Sequence, residues 1–136
     1  MNKGIKKAHG AWLLFLNAGD SFYSNHSVAE LVSNISPKVS FIYGDANYIE
    51  NDEQYIVKHK PIKTIVKSIP FCHQAILCNA EITRKYHYNE KYKICADYDM
   101  FLRAFLNGEK FRAIDSVICN YIVGGYSKQN QIKLFW

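Results

Sequence analysis

At 136 residues, 49% of them hydrophobic and 15% aromatic, the chain is long enough to bury one real core and too apolar to be disordered. Seventeen Lys and Arg against twelve Asp and Glu leave a net charge of +5, a modest excess that suits an anionic ligand such as a nucleotide diphosphate, a membrane surface or nucleic acid. No stretch approaches the roughly 20 apolar residues of a membrane span, and no apolar run of signal-peptide type follows Met1. The four cysteines, Cys72, Cys78, Cys95 and Cys119, lack the C-x-x-C spacing of a zinc or redox site. Their apolar surroundings read as reduced core positions, which fits a cytoplasmic chain.

In chain order, residues Asn2–His9 read as a short basic helix stopped by Gly10. An apolar strand, Trp12–Leu16, then breaks at the polar turn Asn17–Asp20. Ser24 or Asn25 can cap a helix whose buried side would be Val28, Leu31, Val32 and Ile35. Val39–Tyr43 reads as a second buried strand, ended by Gly44-Asp45. A hairpin follows, Ala46–Ile49 and Gln54–Lys58, around the polar residues 50–53. Pro61 opens one amphipathic helical turn with Ile62, Ile65 and Val66 on one side, and Pro70 breaks it. Phe71–Leu77 reads as a strand with the polar pair His73-Gln74 at its head. Tyr86–Tyr92 is a loop of Tyr and Lys. The next helix is the clearest: Asp97 can cap it, Asp99 lies in its first turn, Phe101, Leu102, Phe105 and Leu106 form the buried stripe, and Gly108 ends it. Phe111–Asp115 and Val117–Tyr121 are two strands. Gly124-Gly125-Tyr126-Ser127 is a turn.

The stretch Phe15–Asp20 carries the first chemical signal. A buried strand delivers Asn17 and Asp20 to the carboxyl edge of a sheet, which is where ligands bind in open α/β folds. A carboxylate there can hold a divalent metal, and the metal a phosphate. A plain structural turn has the same composition. His73 and Gln74, at the head of a strand, can touch a phosphate or an acceptor, or serve as hydrogen-bonded structural residues. Gly124, Gly125 and Ser127 can form a backbone nest for phosphate, or only a turn. Lys85, Lys91 and Lys93 among tyrosines make a basic aromatic loop, which either faces a membrane surface or is simply solvated.

Together, Met1–Ile5 with Gly10, Phe15–Asp20, Tyr43-Gly44-Asp45, Cys72-His73-Gln74, Ala96–Asp99 with Leu102-Arg103, and Gly124–Ser127 resemble the family 2 glycosyltransferases of the GT-A fold, across nearly the whole chain. The resemblance points to the bacterial branch that builds exopolysaccharide or lipopolysaccharide repeats, including colanic-acid-type enzymes. It implies a partial Rossmann-like mixed α/β sheet flanked by helices, one domain, and the C-terminal portion of a transferase. In that family the helix matching Asn2–His9 follows a nucleotide-binding βαβ unit, so the resemblance implies a chain shortened at its N-terminus and prone to self-association through an uncovered sheet edge.

For the site, the resemblance implies an inverting transferase. It uses a nucleotide-sugar donor and a saccharide or lipid-linked acceptor, at the inner face of the membrane. Asp97 stands at the catalytic-base position. The Asn17–Asp20 turn stands at the Asp-x-Asp-type metal motif, where Asn17 and Gly19 replace common carboxylates and leave Asp20 alone. Mg²⁺ or Mn²⁺ is therefore expected only with the nucleotide sugar. Asp99 is expected to pair with Arg103 along the helix. The competing readings are a non-catalytic oligomerising remnant, a nucleic-acid binder and a glycoside hydrolase. The scattered basic residues give no groove-sized cluster for nucleic acid, and a hydrolase needs two carboxylates facing across a sugar.

Overall fold

A computed structural model describes residues 1–92 and 94–124. Its sheet is organised on one long strand, β3 (Phe41–Glu50), which hydrogen-bonds to three others. Two further elements precede it, β1 (Trp12–Leu14) and β2 (Ser21–Phe22); β4 (Glu53–Val57), β5 (Ile76–Asn79) and β6 (Phe111–Ile122) follow. The strand order is β1-β5-β3-β6-β2, with β4 added to the far half of β3. β3 and β6 are parallel, and every other pair is antiparallel. Among the described residues four α-helices, α1 (Asn2–Lys7), α2 (Ser27–Val32), α3 (Ala80–Tyr86) and α4 (Ala96–Leu106), complete the mixed α/β architecture that the resemblance implies. No helix among the described residues is long and apolar enough to cross a membrane.

Alternation along the strands sorts the core into two layers. Phe41, Tyr43, Ile76 and Cys78 point to one face, where they meet Ile5 of α1, Tyr86 of α3 and Met100, Phe101 and Ala104 of α4. Ile42, Ala46, Leu77 and Cys119 point to the other, where Leu31 of α2 covers them. The first layer is built on rings: Phe41 stacks on Phe111 at 4.5 Å and meets Phe101 edge-on at 5.6 Å, and Phe71 meets Phe101 at 5.2 Å. Burying each such side chain contributes about 1.5–3 kcal/mol.

Several local expectations are corrected. The strand from Val39 does not end at Gly44-Asp45. It runs through both, because Gly44 lets β3 press against β6 at an irregularity in their register: an added Cβ would lie 2.5 Å from the Ser116 carbonyl oxygen and 2.8 Å from Ile118 Cγ1. Phe111–Asp115 and Val117–Tyr121 are one strand, β6, bent there instead of broken. The hairpin turn shrinks to Asn51-Asp52, both at positive φ (50° and 67°), as a two-residue turn that follows sheet twist requires. α3 has no counterpart among the expected elements, although Asn79 caps it by accepting the Ile82 N–H at 3.1 Å. The strand expected over Phe71–Leu77 begins only at Ile76, so His73 and Gln74 sit on the turn before it.

Helix faces also differ from the spacing. Of the four positions expected on the buried side only Leu31 is buried; Val28 and Val32 are exposed, because the six-residue α2 touches the sheet along a single line, and Ile35 lies beyond the end of the helix and is exposed too. Ser24 is not the helix N-cap, a position His26 fills; its hydroxyl accepts the His26 N–H at 3.2 Å. α4 buries Met100, Phe101 and Ala104, while Leu102 and Phe105 lie at the edge of the core and Leu106 faces solvent. Val66 is exposed on its short 3₁₀ turn. All four cysteines are free, but Cys95 is exposed and not a core residue.

Candidate functional site

β1 stops at Leu14, and the chain turns through Asn17–Asp20 above the strand ends. Gly19 takes φ +95° there, and the Asp20 N–H closes the turn on the Asn17 carbonyl at 3.1 Å. Beside it lies the turn that leads into β5. Gln74 on that turn is fully buried, and both ends of its amide are used: Oε1 accepts the Asn17 N–H at 2.6 Å, and Nε2 donates to Asp20 Oδ2 at 2.5 Å. The other carboxylate oxygen, Asp20 Oδ1, accepts the N–H of Ile122 at the end of β6, at 2.7 Å. Three chain segments are thus pinned on one acid.

The line continues outward. Asn17 Nδ2 lies 3.3 Å from His73 Nε2, and His73 Nδ1 lies 3.6 Å from Asp97 Oδ2. Asp97 is not the helix cap: Cys95 holds that position, and Asp97 sits in the first turn of α4 with Oδ1 accepting the Tyr98 N–H at 2.8 Å. Tyr98 in turn donates its hydroxyl to the Ile65 carbonyl, fixing that first turn. His73 and Asp97 are each about one-fifth exposed, enough to meet a ligand. The expected Asp99–Arg103 pair forms at 2.8 Å, and the guanidinium also donates to the Tyr86 and His87 carbonyls, which clamps α4 to the end of α3.

Five of the residues singled out in the sequence therefore share one face: Asn17, Asp20, His73, Gln74 and Asp97. Tyr121 senses the two acids together: burial first, then the Cys72 thiol and the charges of Asp20 and Asp97, push its hydroxyl pKa up. Gly124 follows two residues after Ile122, exposed, at φ +140°. Gly125 and Ser127 lie outside the described residues, as does Lys93. The cavity described below is not lined by Asp20, His73 or Asp97.

No three His, Cys, Asp or Glu side chains converge on a metal position among the described residues. Asp20 is the one carboxylate of its turn, and each of its oxygens already accepts an N–H. On their own these residues offer a metal a single carboxylate, so the rest of its oxygen shell would have to come from a bound ligand. Gln74 is the brace of the turn. Gln74→Leu leaves the Asn17 N–H and one oxygen of Asp20 without partners, so it should cost about 2 kcal/mol of stability, read as a lowered urea midpoint with unchanged slope.

One charged group, quoted in the resemblance as part of Tyr43-Gly44-Asp45, has no role in the sequence reading. Asp45, on β3, has a fully buried side chain. It accepts Lys58 Nζ at 2.7 Å, the His59 N–H at 2.9 Å and lies 2.7 Å from His59 Nδ1. Burial alone would raise its pKa; the Lys58 and His59 contacts outweigh burial and lower it. A carboxyl lowered on folding stabilises the fold above its unfolded pKa of about 3.9 and loses that contribution as pH falls through the folded value. Thermal midpoints measured between pH 6 and pH 2.5 should therefore fall more steeply below about pH 4 for the natural chain than for Asp45→Asn, which starts lower and has less to lose.

No family model matches the chain. It is 31% identical over 110 residues to a PGL/p-HBAD biosynthesis glycosyltransferase of Mycobacterium tuberculosis, a match covering 79% of this chain and 43% of that protein. It is 27% identical to the amylovoran biosynthesis glycosyltransferase AmsB of Erwinia amylovora, over 99% of this chain and 52% of that protein. The fold matches that of S. aureus TarS, solved as residues 1–349 in complex with UDP, with a TM-score of 0.69 at 14% identity, covering 90% of this chain and 39% of that one. The chain spans about half the length of the curated relatives it matches, and it is similar to glycosyltransferases of Mycobacterium tuberculosis and Erwinia amylovora in sequence and to S. aureus TarS in fold.

Proposed function

We propose that the chain carries the catalytic half of an inverting, nucleotide-sugar-dependent glycosyltransferase of family 2 and the GT-A type. One observation carries this reading: Asp97, His73, Asn17 and Asp20 form one connected line across the carboxyl edge of β1, with one acid at each end. In the proposed reaction Asp97 Oδ2 removes the proton of an acceptor hydroxyl. The freed oxygen attacks the anomeric carbon of the donor, the bond to the nucleoside diphosphate breaks, and the configuration inverts. His73 holds the Asp97 carboxylate in place from one side, as the Tyr98 N–H does from the other. Asp20, braced by Gln74, faces the leaving diphosphate. A Mg²⁺ or Mn²⁺ ion bound together with the diphosphate would be held on the protein side by Asp20 and would neutralise the leaving group's charge. The names of the relatives support a glycolipid or exopolysaccharide acceptor, and the UDP complex of TarS supports a uridine-type donor.

Calorimetric titration with UDP and Mn²⁺ tests the reading. A Mn²⁺-dependent part of the UDP binding heat, removed by Asp20→Asn, is the expected result. No heat from any nucleoside diphosphate, from this segment and from a chain of the relatives' full length alike, would leave a non-catalytic, oligomerising domain as the better account.

A further inference from the structure

A cavity of about 1020 Å³ opens elsewhere, between α1 and the chain joining α3 to α4. Its floor is apolar: Ile5 and Tyr88 line it, and both are buried. Its walls are tied together. The Asn2 side chain donates to the Tyr88 carbonyl at 2.8 Å and to Glu90 Oε1 at 3.0 Å, and accepts the Tyr88 N–H at 3.0 Å. Its rim is basic. Lys6, Arg84 and Lys91 line it, and among the described residues none of them has a carboxylate partner; Arg84 donates only to the Ala8 carbonyl, at 2.7 Å. Arg103 is already committed to Asp99. Glu90 is the one acid of the lining, and Asn2 occupies one of its oxygens. Three cations around a braced, apolar-floored cavity, with one partly satisfied acid, concentrate positive potential where water is partly excluded.

We propose that this cavity binds a phosphate-bearing ligand, a phosphomonoester or diphosphate held by Lys6, Arg84 and Lys91, with the ligand's apolar or sugar portion over Ile5 and Tyr88. The inference goes beyond the transfer reading and uses none of its acids. Tyr88 also links the two places: its ring meets Phe15 edge-on at 5.9 Å, two residues before Asn17. Two rings in contact, Tyr88 and Phe15, separate a ligand here from the turn that carries Asp20.

The test is titration with inorganic pyrophosphate in the absence of divalent metal, followed by calorimetry and by amide shifts. Lys6→Gln/Lys91→Gln should weaken binding roughly tenfold, since two charge-assisted contacts are lost. The charge-matched control Lys63→Gln/Lys67→Gln, outside the cavity, should stay within about twofold. Both double variants change exposed side chains, so both should fold; Arg84→Gln, which also frees Ala8, is a third arm. Asp97→Asn and Asp20→Asn should bind pyrophosphate as the natural chain does, which separates this site from the transfer reading. No pyrophosphate binding, or equal weakening by the control pair, overturns the proposal. Vesicles of phosphatidylglycerol in phosphatidylcholine distinguish the source. Vesicle binding lost in Lys6→Gln/Lys91→Gln identifies a lipid headgroup. Pyrophosphate binding without vesicle binding identifies a soluble phosphate ester.

Discussion

Asp97→Asn is expected to lower sugar transfer by about 10³-fold, within the range for losing a general base. The substitution keeps the size of the side chain and an oxygen that can accept the Tyr98 N–H, so the first turn of α4 should survive. What it removes is the capacity to take a proton. The thermal midpoint should therefore move by no more than a few degrees, and UDP affinity by no more than about twofold, while the single-turnover rate collapses. The assay is transfer from a radiolabelled nucleotide sugar, run on this segment and on a chain of the relatives' full length that contains it. A full-length Asp97→Asn chain that turns over at the natural rate would remove Asp97 from the chemistry. His73→Gln should show a smaller loss, because it keeps a polar partner for Asn17 and leaves the Asp97 carboxylate to act alone.

The largest expected effect on stability comes from a residue with no polar group. Gly44→Ala would place a methyl 2.5 Å from a backbone oxygen of β6 and 2.8 Å from Ile118 Cγ1. The nearer obstacle is main chain, so no side-chain rotation relieves it. β3 and β6 must separate, and the ladder between them holds the parallel core of the sheet together. The expected cost is about 3 kcal/mol or more, with a thermal midpoint lowered by roughly 10 °C for a domain of this size. Calorimetry and urea unfolding read both. A Gly44→Ala chain as stable as the natural one would mean that the two strands are not in such close contact.

The sequence was most legible where a local rule acts alone. Apolar runs found β1, β3 and β6; Gly108 at φ +86° ended α4 where expected; and the polar stretch after Glu50 marked the hairpin. It was least legible where distant chain decides. Nothing near Asp45 announces that Lys58 and His59 will cover it, and nothing near Gly44 announces Ser116. The helix stripes misled for the same reason: periodicity reports which residues share a side, while the depth of the neighbouring layer decides how many of them are buried. α3 stayed hidden although its Asn79 cap was readable in principle, because the short run after it is broken by charged residues. The candidate site was readable as a set of residues. Its internal order was not: Gln74 turns inward to hold Asp20, and His73, not Gln74, faces Asp97.

The bond from the Ile122 N–H to Asp20 joins positions 102 residues apart in the chain. Closing so long a loop is entropically costly until the intervening strands have docked, and folds dominated by such distant pairs form slowly. The Asp20 turn can therefore reach its final geometry only after β6 has been made and seated. During synthesis on the ribosome, it should be among the last parts of this domain to become ordered. Refolding followed by pulsed amide exchange should show the β3 and β5 amides protected before that of Ile122.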